Sequence, residues 1–305
     1  MEKQKGGGVG WLNWALLLVL ALIWGSSFIL MKRGLYHDGV PVLSPLQMAT
    51  ARIAIAWLGL SPLLFRYAPL LKDHWKPLLI SGLIGNGIPA ILFATAQSRI
   101  DSSLSGMLNS LTPLFTLIVG GLFFQQRIRG LHVAGILLGL AGAIGLIAAQ
   151  HGDGLASWSA YAALPIIGTV CYGCSANIVK RYLYMLPAAA TATLALTFVG
   201  PVWLMGCFTT GIPHTLATDA NGWRSLGFVA LLAIFSSSLS LVLWNALLKR
   251  TSAVWASSVT YLMPVVAIGW GLMDGEILSR MQFAMIAVVL SGVWLVNLAE
   301  RKTDI

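Results

Sequence analysis

Arg52 is the only charged residue well inside a long apolar run, about eight residues from one end of the stretch 44 to 65. At 1.5 Å per residue of helix this is roughly 12 Å of depth. A guanidinium in that position can hold a carboxylate or phosphate, reach out to water along its own aliphatic stem, or bond the carbonyls of an interrupted neighbour. Other apolar runs carry uncharged polar groups: Ser27, Asn86, Asn109, Asn177, Ser237, Asn245 and Tyr261, with Ser26, Thr95, Thr112, Ser236 and Ser238 close by. Aromatic Trp24, Tyr172, Trp244 and Trp270 accompany them. Amides and hydroxyls of this kind bond the polar end of a small amphipathic ligand while aromatic faces enclose its apolar part. The same groups also make interhelical hydrogen bonds worth about 0.6 to 2 kcal/mol each, and for any single residue both uses stand.

What is missing narrows the chemistry. All ten acidic residues fall in connections, termini or helix ends. A proton-coupled exporter of cations needs a carboxylate within the membrane, so the expected cargo is neutral or zwitterionic. The histidines His37, His74, His132, His151 and His214 lie at or near segment ends, and no His-Glu-x-x-His pattern occurs, so neither an intramembrane enzyme nor a metal site is expected. No cofactor is expected either. A channel would need rings of charge or repeated filter carbonyls, which have no counterpart here. Cys171, Cys174 and Cys207 sit in apolar runs and read as small apolar packing residues.

The elements that must position these groups are apolar helices. Hydrophobic residues make up 57% of the chain and charged residues only 10%, against roughly a quarter charged in a soluble domain. Ten runs approach or exceed the roughly 20 residues a bilayer-crossing helix needs: 11 to 31, 44 to 65, 76 to 97, 103 to 124, 130 to 149, 158 to 181, 188 to 208, 223 to 248, 253 to 273 and 279 to 298. Membrane-barrel strands alternate apolar and polar residues, whereas a run such as 133 to 149 is apolar on every face. The first run lacks a small-residue cleavage site and ends in Lys32 and Arg33, so it is expected to remain as a helix. The formal charge of +9 is scattered in ones and twos between runs, which argues against a nucleic-acid partner. With the N-terminus inside, thirteen basic residues fall on the cytoplasmic side and five on the other, which places both termini in the cytoplasm. Trp11, Trp14, Trp75, Trp158 and Trp223, at run ends, read as interface anchors.

The chain also contains itself twice. Trp24, Gly25, Ser27 and Lys32 recur 148 residues later as Tyr172, Gly173, Ser175 and Lys180, and Arg99, Leu111, Pro113 and Gly120 recur at a spacing of 151 as Arg250, Leu262, Pro264 and Gly271. Gln125 then corresponds to Glu276, and Gly142 to Gly292. Five runs per copy is an odd number, so the second copy must cross the bilayer upside down, as in many secondary transporters. Pro113 and Pro264 fall near the middle of their runs and are expected to kink them. The carbonyls so freed need partners, for which Thr112 and Tyr261 are placed. Interrupted helices at matching positions point to a binding site, though a kink used only for packing is the alternative. Gly135, Gly139, Gly142 and Ala143 give the fifth run a face for close helix approach; with the tenth run it is expected to lie away from the pathway.

The Trp-Gly-x-Ser with a following Lys in the first run, its Tyr172 copy in the sixth, and a proline amid the fourth and ninth together resemble the EamA-type family of the drug/metabolite transporter superfamily. The resemblance spans essentially the whole chain. It implies an all-α membrane protein of ten transmembrane helices in two inverted repeats, 11-149 and 158-298, flanked by cytoplasmic tails 1-10 and 299-305. It also implies a central cavity formed mainly by helices 1, 3, 4, 6, 8 and 9, and alternating-access export of small metabolites such as amino acids from the cell across its inner (plasma) membrane. The alternative is a multidrug exporter or an importer of a nucleotide-like metabolite. Trp24, Gly25, Ser27 and Lys32, and Tyr172, Gly173, Ser175 and Lys180, carry the family motif. Since helix 2 is not among the implied cavity helices, Arg52 is expected to be structural. The candidate substrate contacts are thus Trp24, Ser27, Asn86, Asn109, Pro113, Tyr172, Asn177, Ser237, Trp244, Asn245, Tyr261 and Pro264. The change from Phe28 and Ile29 to Ala176 and Asn177 is where substrate choice is expected to reside. Topology is directly testable: a reporter fused after Gln150 should read outside the cell and one fused after Asp304 inside, and any other pair of readings breaks the inverted-repeat argument.

Overall fold

The computed structural model describes residues 11–126, 128, 130–149 and 160–301. The tail 1-10, the end of the other tail at 302–305, the Trp158 anchor at the start of the sixth run, and the basic residues Lys3, Lys5, Arg127, Arg129 and Lys302 lie outside the described residues. Apart from one small hairpin, every regular element among the described residues is helical.

The first helix, α1 (Trp11–Leu35), is a run of strong helix formers that ends with Lys32 and Arg33 in its last turn, where cations offset the partial negative charge of the terminal carbonyls. Tyr36 pairs with Pro41 and His37 with Val40 in a tight antiparallel hairpin. Its tip residues Asp38 and Gly39 both take positive φ, the geometry of a primed two-residue turn. Helix α2 (Pro45–Leu60) starts on a capping box in which Ser44 and Gln47 satisfy each other's backbone amides. A single turn, α3 (Leu64–Tyr67), leads into α4 (Leu71–Gly82), a π-helical segment (Leu83–Gly87) and α5 (Ile88–Gln97). Next come α6 (Ser102–Asn109), α7 (Thr112–Phe123) and α8 (Gly130–Ala148). The second half of the chain runs through α9 (Ala163–Tyr182), α10 (Ala188–Thr209), the short α11 (Ile212–Thr218) and α12 (Gly222–Leu231). A second π segment (Leu232–Leu239) joins α12 to α13 (Ser240–Arg250). Then α14 (Ala253–Ser257), a 3-10 turn (Ser258–Tyr261), α15 (Met263–Met273) and α16 (Arg280–Arg301) complete the chain.

Seven helical stretches among the described residues are long and apolar enough to cross a bilayer. One of them, Pro45–Gln97, is 53 residues long and carries two of the runs read from the sequence, 44 to 65 and 76 to 97. Two shorter apolar helices lie within α8 and α16. Large side chains such as Phe65, Leu122, Phe123, Met205 and Phe208 stay exposed on the bundle's outside, where lipid rather than water is the solvent that suits them. The protein is an all-α, multi-pass membrane protein.

The two proline sites differ from a simple kink. At each, the helix stops and restarts, with Pro113 in the first turn of α7 and Pro264 in the first turn of α15, where a missing amide hydrogen costs nothing. Thr112 Oγ1 donates to the Asn109 carbonyl at 2.7 Å, the group that Pro113 would otherwise leave bare. Tyr261 does not play the matching part: its hydroxyl donates instead to the Val293 carbonyl of α16 at 2.7 Å.

Close helix crossings hold the bundle. A Cβ on Gly25 of α1 would lie 2.5 Å from Val266 Cβ of α15, and one on Gly173 of α9 would lie 2.8 Å from the Thr116 amide nitrogen of α7. The motif glycine of each half is therefore pressed on the helix after the proline of the other half. Helices α8 and α16 cross as tightly, with a Cβ at Gly292 only 2.5 Å from the Gly139 nitrogen. At one end of the bundle Arg250 Nε donates to Asn13 Oδ1 at 2.8 Å, and Lys180 Nζ to the Leu248 carbonyl at 2.8 Å. Lys180 thus lies at the Asn13 end of α1, opposite its sequence counterpart Lys32. We expect Gly173→Ala to lower stability by about 1–3 kcal/mol, the usual penalty of overpacking. Gly227→Ala, inside α12 with nothing within 4 Å of the added methyl, should not destabilise and should gain up to about 1 kcal/mol; midpoints of thermal unfolding in detergent check both.

Candidate functional site

The two π segments sit at matching positions, Gly85 and Asn86 in one and Ser236 and Ser237 in the other, 151 residues apart. Each wide turn alters the helical register and turns these residues toward a central cavity. The cavity measures about 120 Å³ as space open to water centres. Space of that extent admits a small molecule.

Of the twelve candidate contacts and Arg52, the structure brings nine to this wall: Trp24, Ser27, Arg52, Asn86, Asn109, Tyr172, Ser237, Trp244 and Asn245, and Thr112, Ser175 and Ser236 join them. Pro113, Asn177, Tyr261 and Pro264 do not line it. The prolines shape the helix restarts described above, and Tyr261 is tied to α16. Asn177 donates to the carbonyls of Thr116 (2.8 Å) and Gly173 (2.9 Å) and accepts from Gln126 (3.2 Å), so its amide fastens α9 to α7 instead of facing the cavity. Arg52 corrects the expectation in the other direction. Helix α2 does reach the cavity, and Arg52 Nε donates to Ser237 Oγ at 2.9 Å.

An aromatic lining and a polar lining share the wall. Trp24 and Trp244 meet at 5.4 Å between ring centroids, Phe93 stacks on Tyr172 at 5.8 Å, and Phe28 tilts against Phe93 at 6.2 Å. Trp24 Nε1 donates to the Ser236 carbonyl (3.1 Å) and to Ser240 Oγ (2.8 Å), which holds its ring against the second π segment. Among the described residues Asn109 Oδ1 and Asn245 Oδ1 are buried without a hydrogen-bond donor. Ser81 and Ser175 share a hydrogen bond at 3.0 Å in the same wall. Ser81, Gly85, Phe93, Ser240 and Thr260 were absent from the sequence reading. The match of Gly85 and Asn86 to Ser236 and Ser237 at a spacing of 151 is the signal that could have found part of this set. Trp270, by contrast, is 40% exposed and bonds Ser26 away from the cavity.

At the Lys32 end the bundle is latched by charge. Lys32 Nζ lies 2.7 Å from Asp274 and 2.8 Å from Glu276, and Arg33 also pairs with Asp274. Glu276 accepts from the Ser102 amide (3.2 Å), Ser102 Oγ (2.6 Å) and the Ser103 amide (3.1 Å), so one buried carboxylate joins the end of α1, the start of α6 and the end of α15. The equivalent place at the other end is filled by Gln126, not Gln125. Gln126 lies under Gly120 as Glu276 lies under Gly271, and Gln125 takes the left-handed turn that Gly275 takes. There the partner is the Asn177 amide, and Lys180 bonds the carbonyls of Leu248 and Thr251 and lies over the Tyr184 ring. Among the described residues one end is thus held by ion pairs and the other by an amide pair and a lysine on backbone carbonyls.

A helical membrane protein enclosing a cavity of this size and lining is a small-molecule transporter by architecture. The EamA-like transporter family matches residues 12–148 and again 159–298, and the chain belongs to that family. It is 29% identical to the Escherichia coli K12 protein named uncharacterized inner membrane transporter YedA, over 93% of this chain and 90% of that one. A Salmonella typhimurium protein named probable amino-acid metabolite efflux pump is 26% identical over 92% and 93% of the two chains. One from Streptantibioticus cattleyicolor named probable terminal-alkyne amino-acid exporter is 24% identical over 93% and 92%. A solved crystal structure shares the fold with a TM-score of 0.64 at 18% identity, covering 97% of this chain and all of the other.

The latch has a defined pH behaviour. Burial alone would raise the Glu276 carboxyl, but bonds from Lys32, Ser102 and Ser103 outweigh it and hold the group below its ordinary 4.5. A depressed carboxylate stabilises the closed arrangement above its unfolded value and loses that contribution as pH falls through the folded one. Glu276→Gln should therefore lower the unfolding midpoint at pH 7, by about 1–3 kcal/mol in free energy. The gap to wild type should stay constant at neutral pH and narrow only below 4.5.

Proposed function

We propose that this protein is an alternating-access exporter of small neutral or zwitterionic metabolites, amino acids in particular. In this reading it makes ten crossings in two inverted five-helix halves, 11-149 and 158-298, with both termini in the cytoplasm of a cell whose inner membrane it spans. The observation that carries the reading is the cavity itself, walled by polar and aromatic residues of both halves. Paired π segments, paired helix restarts at Pro113 and Pro264 and the reciprocal packing of Gly25 and Gly173 support the inverted halves. Two relatives bear names of amino-acid exporters, which favours that cargo.

Trp24 and Trp244 present ring faces to the apolar part of the cargo. No carboxylate among the described residues lines the cavity, so in this reading the carrier moves its cargo without exchanging a proton at a buried acid. The protein reconstituted in vesicles should exchange radiolabelled leucine faster when unlabelled leucine is present on the opposite side. A flux indifferent to substrate on that side would indicate a channel, and strong pH-gradient-driven uptake of a lipophilic cation would overturn the cargo assignment.

A further inference from the structure

The cavity wall holds a cation without an anion. Protein surrounds Arg52, yet part of its surface remains open, and that part faces the cavity. Among the described residues its one hydrogen bond is from Nε to Ser237 Oγ. The ion pairs among the described residues all lie elsewhere, at Lys32, Arg33 and His37. A charge enclosed in protein is unfavourable by several kcal/mol unless it is paired. Helix α2 is apolar around this position and could have carried a leucine here at no such cost.

The geometry says what the missing partner is. Anchoring Nε to Ser237 fixes the plane of the guanidinium and leaves the two terminal nitrogens as a free fork, the arrangement that receives a carboxylate through two parallel hydrogen bonds. Ser237 is in turn placed by the π segment Leu232–Leu239, so the wide turn and the arginine form one device. The wall contains no second basic residue. One cation matches the single charge of a carboxylate and falls short of the nearly two charges of a phosphate monoester.

We infer that Arg52 binds the carboxylate of the transported molecule through its two terminal nitrogens, which makes the cavity selective for carboxylate-bearing zwitterions over cations of the same shape. This rests on the transport reading above and adds the residue that sets the charge preference. Tyr172, within electrostatic reach of the guanidinium and stacked on Phe93, closes the carboxylate pocket on its aromatic side.

The test is binding to the purified full-length protein, read from the fluorescence of the tryptophans beside the cavity. The ligands are leucine, methionine and phenylalanine, each set against its own amide, which keeps the shape and ammonium but lacks the carboxylate. Wild type should prefer the acids by roughly tenfold or more, the factor carried by a charge-assisted hydrogen bond. Arg52→Gln should lose that preference through weaker binding of the acids, the cationic amides binding no worse than to wild type, and Arg52→Lys should retain part of it. Wild type binding acid and amide alike, or binding none of the acids, overturns the inference, as does a folded Arg52→Gln that binds the acids normally. Should Arg52→Gln fail to fold, the wild-type preference and Arg52→Lys decide. Vesicle exchange separates the two readings: exchange that is intact in Arg52→Gln removes this inference and leaves the carrier, whereas wild type without exchange removes the carrier.

Discussion

In a bilayer every backbone amide and carbonyl must find its partner inside the protein or in a water-lined space, and this constraint organises the whole molecule. It explains why the two π segments and the restart before α7, departures from regular helix within the apolar bundle, lie beside the cavity. The π segments Leu83–Gly87 and Leu232–Leu239 put Gly85, Asn86, Ser236 and Ser237 into the wall. The restart before α7 leaves the Asn109 carbonyl to the Thr112 hydroxyl, and the same irregular stretch brings the Asn109 side chain to the cavity. Binding groups and backbone defects share an address because each needs polar surroundings that lipid cannot supply.

The second organising feature is the reciprocal grip of the two halves. Gly25 allows α1 to lie on α15, and Gly173 allows α9 to lie on α7. These crossings join the motif helix of each half to the interrupted helix of the other, so the cavity walls are assembled between halves. The peripheral pair, α8 and α16, is fastened by its own glycine crossing and contributes nothing to the wall. Its tight packing suits a scaffold that stays rigid while the motif helices shift.

The duplication is not symmetric where the ends close. Lys32 and Lys180 are counterparts, yet one meets Asp274 and Glu276 while the other meets carbonyls. Gln126 replaces Glu276 in the same niche beneath a helix glycine. Two differences make this asymmetry: Gln126 stands where the other end has Glu276, and uncharged Phe124, at the same spacing of 150, stands where it has Asp274.

Much of the architecture was readable in the sequence because its causes are local or periodic. Apolar runs of bilayer length, turn residues between them, and motifs recurring at spacings of 148 and 151 define membrane helices and a duplicated chain without any knowledge of packing. Nine of the thirteen candidate residues reached the cavity because polar and aromatic groups in apolar runs have few places to go. Which way each one points was decided by tertiary structure. Asn177 and Asn109 look alike in sequence, but one turns its amide to the backbone of α7 and the other faces the cavity. Arg52 moved from an expected structural role to the wall because α2 leans against the second π segment, and a π turn leaves no periodic trace. Composition and period determine which segments enter the membrane. The rotation of each helix about its axis depends on contacts between residues far apart in the chain, and only the folded bundle sets it.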